Sequence, residues 1–111
     1  MGPLDTYRQA VERVLTVCTT IPYAHGELRC EALFDREHDR YALITLGWNA
    51  DKRVHFLLVH IDIVGGKVWI EKDNTEDGVA SELVQAGIPK SQIVLAFRSP
   101  EVRKHTEYAI A

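Results

Sequence analysis

The side chains of this sequence best suited to chemistry are its histidines and carboxylates. His55 and His60 stand five apart in an apolar, β-branched run, so on a regular strand they point to opposite faces and share no metal. His60 and Asp62 alternate onto one face and offer two ligands, so a catalytic zinc site would need its third protein ligand from a neighbouring strand. Glu71 and Asp73 alternate with Trp69 on the next strand, and Asp62 lies across the hairpin from them. Three such carboxylates are the kind of set that metal-dependent nucleases use to hold a divalent ion and activate water. The accompanying D/E-x-K spacing is missing, because Lys72 directly follows Glu71. No serine is framed as G-x-S-x-G and no glycine-rich phosphate loop precedes a helix. The expectation is therefore polar strand faces and turns: no enzyme, no cofactor, no metal and no small-molecule substrate.

The cations argue against DNA reading as the main task. Arg8 and Arg13 on the first predicted helix are balanced by Asp5 and Glu12, and the second carries Glu76, Asp77 and Glu82 with no lysine or arginine. An acidic helix is a poor candidate for a major groove lined by phosphates. Arg98, Arg103 and Lys104, with His105 beside them, form the best basic cluster, diluted by Glu101 and Glu107. Direct DNA binding through Arg98, Arg103 and Lys104 is the alternative reading. Trp48, Trp69 and the apolar ending Tyr108-Ala109-Ile110-Ala111 fit either a core or a protein interface.

Elements that would position these groups follow from periodicity. Tyr7, Val11, Val14, Leu15 and Cys18 form one helical stripe between Asp5 and about Thr20, with Asp5 or Thr6 as cap and Ile21-Pro22 as stop. The period then changes to two. Leu28, Cys30, Ala32 and Phe34 share one face of a strand over Glu27–Asp35, and Arg36–Asp39 is a turn. Strands over Tyr41–Trp48, Val54–Ile63 and Val68–Glu71 follow, the last two joined at Gly65-Gly66, where a tight hairpin tolerates positive φ. A second helix is predicted after Asp73-Asn74-Thr75, capped by Asn74 or Thr75, with Glu76 and Asp77 in its first turn and Gly87 closing it. Ile93–Phe97 reads as a short strand, and Ser99-Pro100 opens a brief last helix of about Pro100 to Lys104. The expected fold class is α+β: an antiparallel four- to five-stranded meander sheet, an N-terminal helix and C-terminal helices, in one domain over residues 1–111.

Composition agrees. The 111 residues are 46% hydrophobic and 26% charged, with 13 Lys+Arg against 16 Asp+Glu and a formal charge of −3. That is an ordinary globular mixture, which discourages binding to nucleic acid or an anionic membrane by bulk charge. Cys18 and Cys30 belong to no metal or CxxC spacing and read as free thiols, with a single disulfide between them as the alternative. With neither a signal-peptide pattern nor a spanning apolar run, the expected location is cytoplasmic.

Several ordered stretches resemble the XisI family, the fdxN element excision controlling factor proteins of cyanobacteria. They include Ile21-Pro22-Tyr23, Gly47-Trp48, Arg53-Val54-His55, His60-Ile61-Asp62-Ile63 and Lys67-Val68-Trp69-Ile70. They continue through Asp73–Ala80, Gly87-Ile88-Pro89-Lys90 and Arg103-Lys104-His105-Thr106-Glu107, so the likeness runs from Tyr7 to Ala111. The resemblance implies a role in controlling programmed excision of a DNA element, a recombination performed by a separate enzyme. It implies a second small protein, an XisH-like partner. The aromatic and apolar groups add a homodimer as a further expectation, and DNA contact is expected to be indirect. The residues expected at partner contacts are Trp48, His60, Asp62, Trp69, Asp73, Thr75, Glu76 and Gly78.

Overall fold

The computed structural model describes residues 3–21 and 27–111. Its first element is helix α1, Pro3–Thr19. Val11, Val14 and Leu15 of the predicted stripe are buried, and so is Ala10. The helix starts two residues before the expected cap, because proline suits a first turn whose N–H groups have no intrahelical partner. Asp5 therefore lies in the first turn and pairs with Arg8 at 3.1 Å instead of capping. The helix ends before Ile21, and Pro22 and Tyr23 lie outside the described residues.

Strands β1 (Glu27–Asp35), β2 (Arg40–Asn49), β3 (Lys52–Val64) and β4 (Lys67–Asp73) form the expected antiparallel meander. Strand β5, Ile93–Leu95, extends the sheet on the far side of β4 but runs parallel to it. The chain crosses over through helix α2 (Ala80–Gln85) and a short 3₁₀ turn before pairing, and such a crossover returns a strand in the same direction. A last helix α3, Pro100–Arg103, opens as predicted: Ser99 Oγ accepts from Val102 N at 3.4 Å. The core lies on one side of the sheet, where Leu15, Tyr41, Leu43, Ile61, Ile70 and Leu83 are fully buried with α1 and α2 over them.

Helix α2 begins four or five residues later than predicted, at Ala80. The Asp73 carboxylate accepts from Thr75 N at 3.0 Å and from Val79 N at 2.7 Å, and Thr75 Oγ1 accepts from Gly78 N at 3.1 Å. These side-chain bonds hold 74–79 as a loop and compete with the helix for its backbone donors. Asn74 and Thr75 are consequently not caps, and Glu76 and Asp77 precede the helix.

Two β-bulges correct the face assignments. Leu43 and Ile44 are consecutive, yet they pair with Val59 and Leu57, leaving Leu58 as an extra residue in β3. His60 and Ile61 pair with Lys72 and Ile70, leaving Glu71 extra in β4. Each inserted residue inverts the alternation beyond it. His55 and His60 therefore share one face, opposite Leu46 and Ala42, although those partners stand about 13 Å apart along the strand. Asp73, opposite Val59, faces the core side, while Trp69, opposite Asp62, faces away. The acidic set Asp62, Glu71 and Asp73 is split by the sheet, and no group of three metal-ligating side chains occurs among the described residues.

Gly47 fixes the pairing of β1 with β2. It sits opposite Leu28 with φ of 140°, and a Cβ there would lie 1.9 Å from the Glu27 carbonyl oxygen. No other residue admits so close an approach.

Candidate functional site

The sheet has one covered face and one that is only partly covered. On the outer face, Trp69 is half-buried beneath the C-terminal segment, while the part built from β1, β2 and β3 has none of the described elements over it. Strand β2 explains the result: Tyr41, Leu43 and Thr45 point into the core, yet the alternate residues Ala42, Ile44, Leu46 and Trp48 are apolar too. A strand apolar on both faces is the pattern of a strand covered on both sides. Leu57 lies opposite Ile44, Leu33 lies opposite Ala42, and Trp48 remains 47% exposed. A shallow hollow of about 330 Å³ opens over Ala42, walled by Leu33, Leu57, His60 and Arg40.

Charged groups ring this apolar stripe. His60 Nε2 and Asp62 Oδ1 are 2.8 Å apart, Arg29 donates to Glu31 at 2.6 Å, and the Arg53 guanidinium stands 5.5 Å from the Trp48 ring centroid. His60, Asp62 and Trp48 thus belong to one surface, with the tryptophan at its opposite end. Leu33, Arg40, Ile44, Leu46, Arg53 and Leu57 complete it and were missed among the sequence-derived contact residues. Their legible signal was the doubly apolar pattern of Tyr41–Trp48.

Trp69 and the basic cluster belong instead to a clasp. Arg103 donates through Nε to Arg98 O at 2.9 Å and Leu95 O at 3.2 Å, through Nη1 to Ile110 O at 3.0 Å and through Nη2 to Ala96 O at 3.4 Å. Its guanidinium stands 5.7 Å from the Trp69 ring centroid. The segment it holds is bonded to the sheet edge through Ala109 N and Ile93 O, and Lys67 Nζ donates to Ala111 O. Arg98 stacks over Phe97, and Lys104 pairs with Glu101 at 2.9 Å. The three cations therefore have separate local roles, and Arg103 is spent on the fold.

Asp73, Thr75, Glu76 and Gly78 form a third location, the loop before α2. Glu76 and Asp77 are exposed there, whereas Asp73 and Thr75 are half-buried. The loop borders an open cavity of about 440 Å³ lined also by Cys18, Cys30 and Leu58. Both cysteines are free thiols. Burial pushes each thiol up from its ordinary pKa, with nearby Glu82 and Asp73 adding to the shift at Cys18.

A further ionic cluster joins α1 to the β1–β2 turn. Arg8 donates to both oxygens of Asp39, at 2.7 and 3.0 Å, and the buried Tyr41 hydroxyl donates to Asp39 at 3.0 Å. The Arg8 guanidinium holds the Asp39 carboxyl below its usual pKa against the opposing effect of burial, while burial and Asp39 push the Tyr41 phenol upward. Asp39 takes a positive φ of 53°, which aspartate tolerates better than most residues, and its carboxylate is thereby placed between the two donors.

Comparison with known proteins follows the fold closely. The family model described as XisI protein matches residues 1–110. A crystal structure of a XisI-like protein from Anabaena variabilis is 30% identical, with a TM-score of 0.87, covering 97% of this chain and 99% of that one. The crystal structure of the fdxN element excision controlling factor XisI from the same organism is 32% identical, with a TM-score of 0.79, covering 99% of this chain and 100% of that one. No curated protein matches the chain. Among the described residues, no helix is long and apolar enough to cross a membrane.

Proposed function

The chain belongs to the XisI family, and from that premise we propose that it is a non-catalytic controlling factor in programmed excision of a DNA element, acting through contact with an XisH-like protein. The observation that carries this reading is the correspondence with an excision controlling factor, at 32% identity over 99% of this chain and 100% of that one. A surface suited to the partner is the loop before α2. Asp73 pins the loop through backbone bonds to Thr75 and Val79, so Glu76 and Asp77 are presented from a fixed shape beside Glu82 of α2. Fixed acidic groups suit a basic partner surface and give an association that slows as salt rises.

Co-expression with an XisH-like protein tests the proposal. The two chains should co-purify, and E76K/D77K should weaken the complex on the order of tenfold, mainly through slower association. Failure to associate at micromolar concentration refutes the reading. Direct DNA binding is the weaker alternative, because Arg103 is engaged by four backbone carbonyls.

A further inference from the structure

We infer that the open outer face of β1–β3 seats a second copy of this chain, the two sheets packing face to face about a two-fold axis that crosses β2 at Ile44. The inference does not rest on the XisH-like contact proposed at the loop before α2. An isologous interface requires a surface that complements itself, so features equidistant from the axis must fit one another. This face meets that condition along β2. Ala42 lies two residues before Ile44 and forms the floor of the hollow of about 330 Å³. Leu46 lies two residues after Ile44 and carries a large, half-buried side chain on the same face. Rotation about Ile44 lowers Leu46 of each copy into the hollow over Ala42 of the other.

Charge agrees with shape one step further out. Arg40 and Trp48 are each four residues from Ile44, so the rotation brings a guanidinium onto an indole face. On β3, Arg53 lies opposite Trp48 and Asp62 lies opposite Arg40. The same rotation therefore sets Arg53 of each copy against Asp62 of its mate, giving two symmetric ion pairs at the rim, while Glu31, opposite Ile44, meets its own copy at the axis with each carboxylate held by its neighbouring Arg29. The residual twist between such sheets, about 30° for aligned packing, leaves these neighbours within side-chain reach. The doubly apolar pattern of β2 is then explained, since its outer side chains are covered in the pair as its inner ones are in the monomer.

Sedimentation equilibrium on the intact chain, with charge-reversal variants, tests the assignment. The native protein should sediment at twice the monomer mass of 12.6 kDa at tens of micromolar. Arg53→Glu and Asp62→Arg should each weaken the dimer on the order of 100-fold, because both symmetric pairs turn repulsive. Mixing the two variants should restore dimers. In the mixed pair the introduced glutamate of one chain meets the introduced arginine of the other, and the remaining native Asp62 meets the remaining native Arg53. Arg53 is exposed and Asp62 half-buried beside His60, and unchanged circular dichroism verifies that the variants fold. A native monomer at 100 µM, taken as roughly the upper end of working concentration, overturns the proposal. So does a dimer indifferent to both substitutions, or a mixture that stays monomeric.

Discussion

Arg103 offers a perturbation that separates a structural role from a nucleic-acid role. Arg103→Gln removes the charge and most of the donors, while Arg103→Lys keeps the charge but replaces a planar fork with a point donor. In the native fold three of the contacts to carbonyl oxygens lie between 2.9 and 3.2 Å, and a tryptophan ring stacks on the guanidinium. Charge-assisted hydrogen bonds contribute about 1.5 kcal/mol each at the weak end, reduced further by the half-exposed position, and the stacking adds about 0.5–1 kcal/mol. The expected loss for either variant is about 2–3 kcal/mol, because one ammonium cannot span carbonyls from Leu95, Arg98 and Ile110. For a chain of this size that corresponds to a melting temperature lower by about 10 °C. Thermal unfolding by far-ultraviolet dichroism measures the loss, and Trp69 emission in a Trp48→Phe background reports release of the clasp by a red shift. A lysine variant that melts within about 1 °C of the native protein, with Trp69 emission unmoved, would refute the clasp, since 1 °C corresponds to only a few tenths of a kcal/mol.

Two further perturbations probe other joints of the fold. Gly47→Ala forces the Glu27 carbonyl away from β2 and should cost about 3 kcal/mol or more, read as a lower urea midpoint; a change under about 1 kcal/mol contradicts the close β1–β2 approach. Asp39 has a folded-state pKa below its ordinary value of 3.8, so the stability it contributes is full above that pH and is lost as pH falls through the folded value. Urea midpoints should therefore drop steeply below about pH 4 in the native protein and less steeply in Asp39→Asn. A shallower acid limb should persist in the variant, because His38 and Lys90 lower Asp35 and Glu107 in the same direction.

The sequence patterns that were legible are those in which a local rule and the tertiary structure agree. The stripe of α1, the alternation of β1, the Gly65-Gly66 hairpin with φ of 59° and 78°, and the Ser99-Pro100 start all follow from sterics within a few residues. The misread segments are those where a side chain takes over the backbone. Asp73 draws Thr75 and Val79 into a loop, and nothing in the Asn-Thr-Glu-Asp spacing distinguishes that loop from a capped helix. The bulges at Leu58 and Glu71 are set by neighbouring strands, so His55, His60 and Asp73 were assigned to the wrong relative faces. Of the candidate contact residues, Trp48, His60 and Asp62 fall on one surface, whereas Trp69 is covered by the segment that Arg103 holds. Arg103 looked like a free cation because its partners are backbone carbonyls, which leave no trace in residue type.

The bulge at Leu58 also constrains how the chain can change over generations. Removing one residue there would restore regular pleating and turn either half of β3 over, exchanging buried Val59, Ile61 and Ile63 with His60, Asp62 and Val64. A single-codon deletion at this point is thus far more damaging than one in a surface turn, and it is survivable only if the polarity of the following strand inverts with it. Relatives of this fold should accept length variation at Ala50-Asp51 while keeping the count between Leu57 and Val59 unchanged.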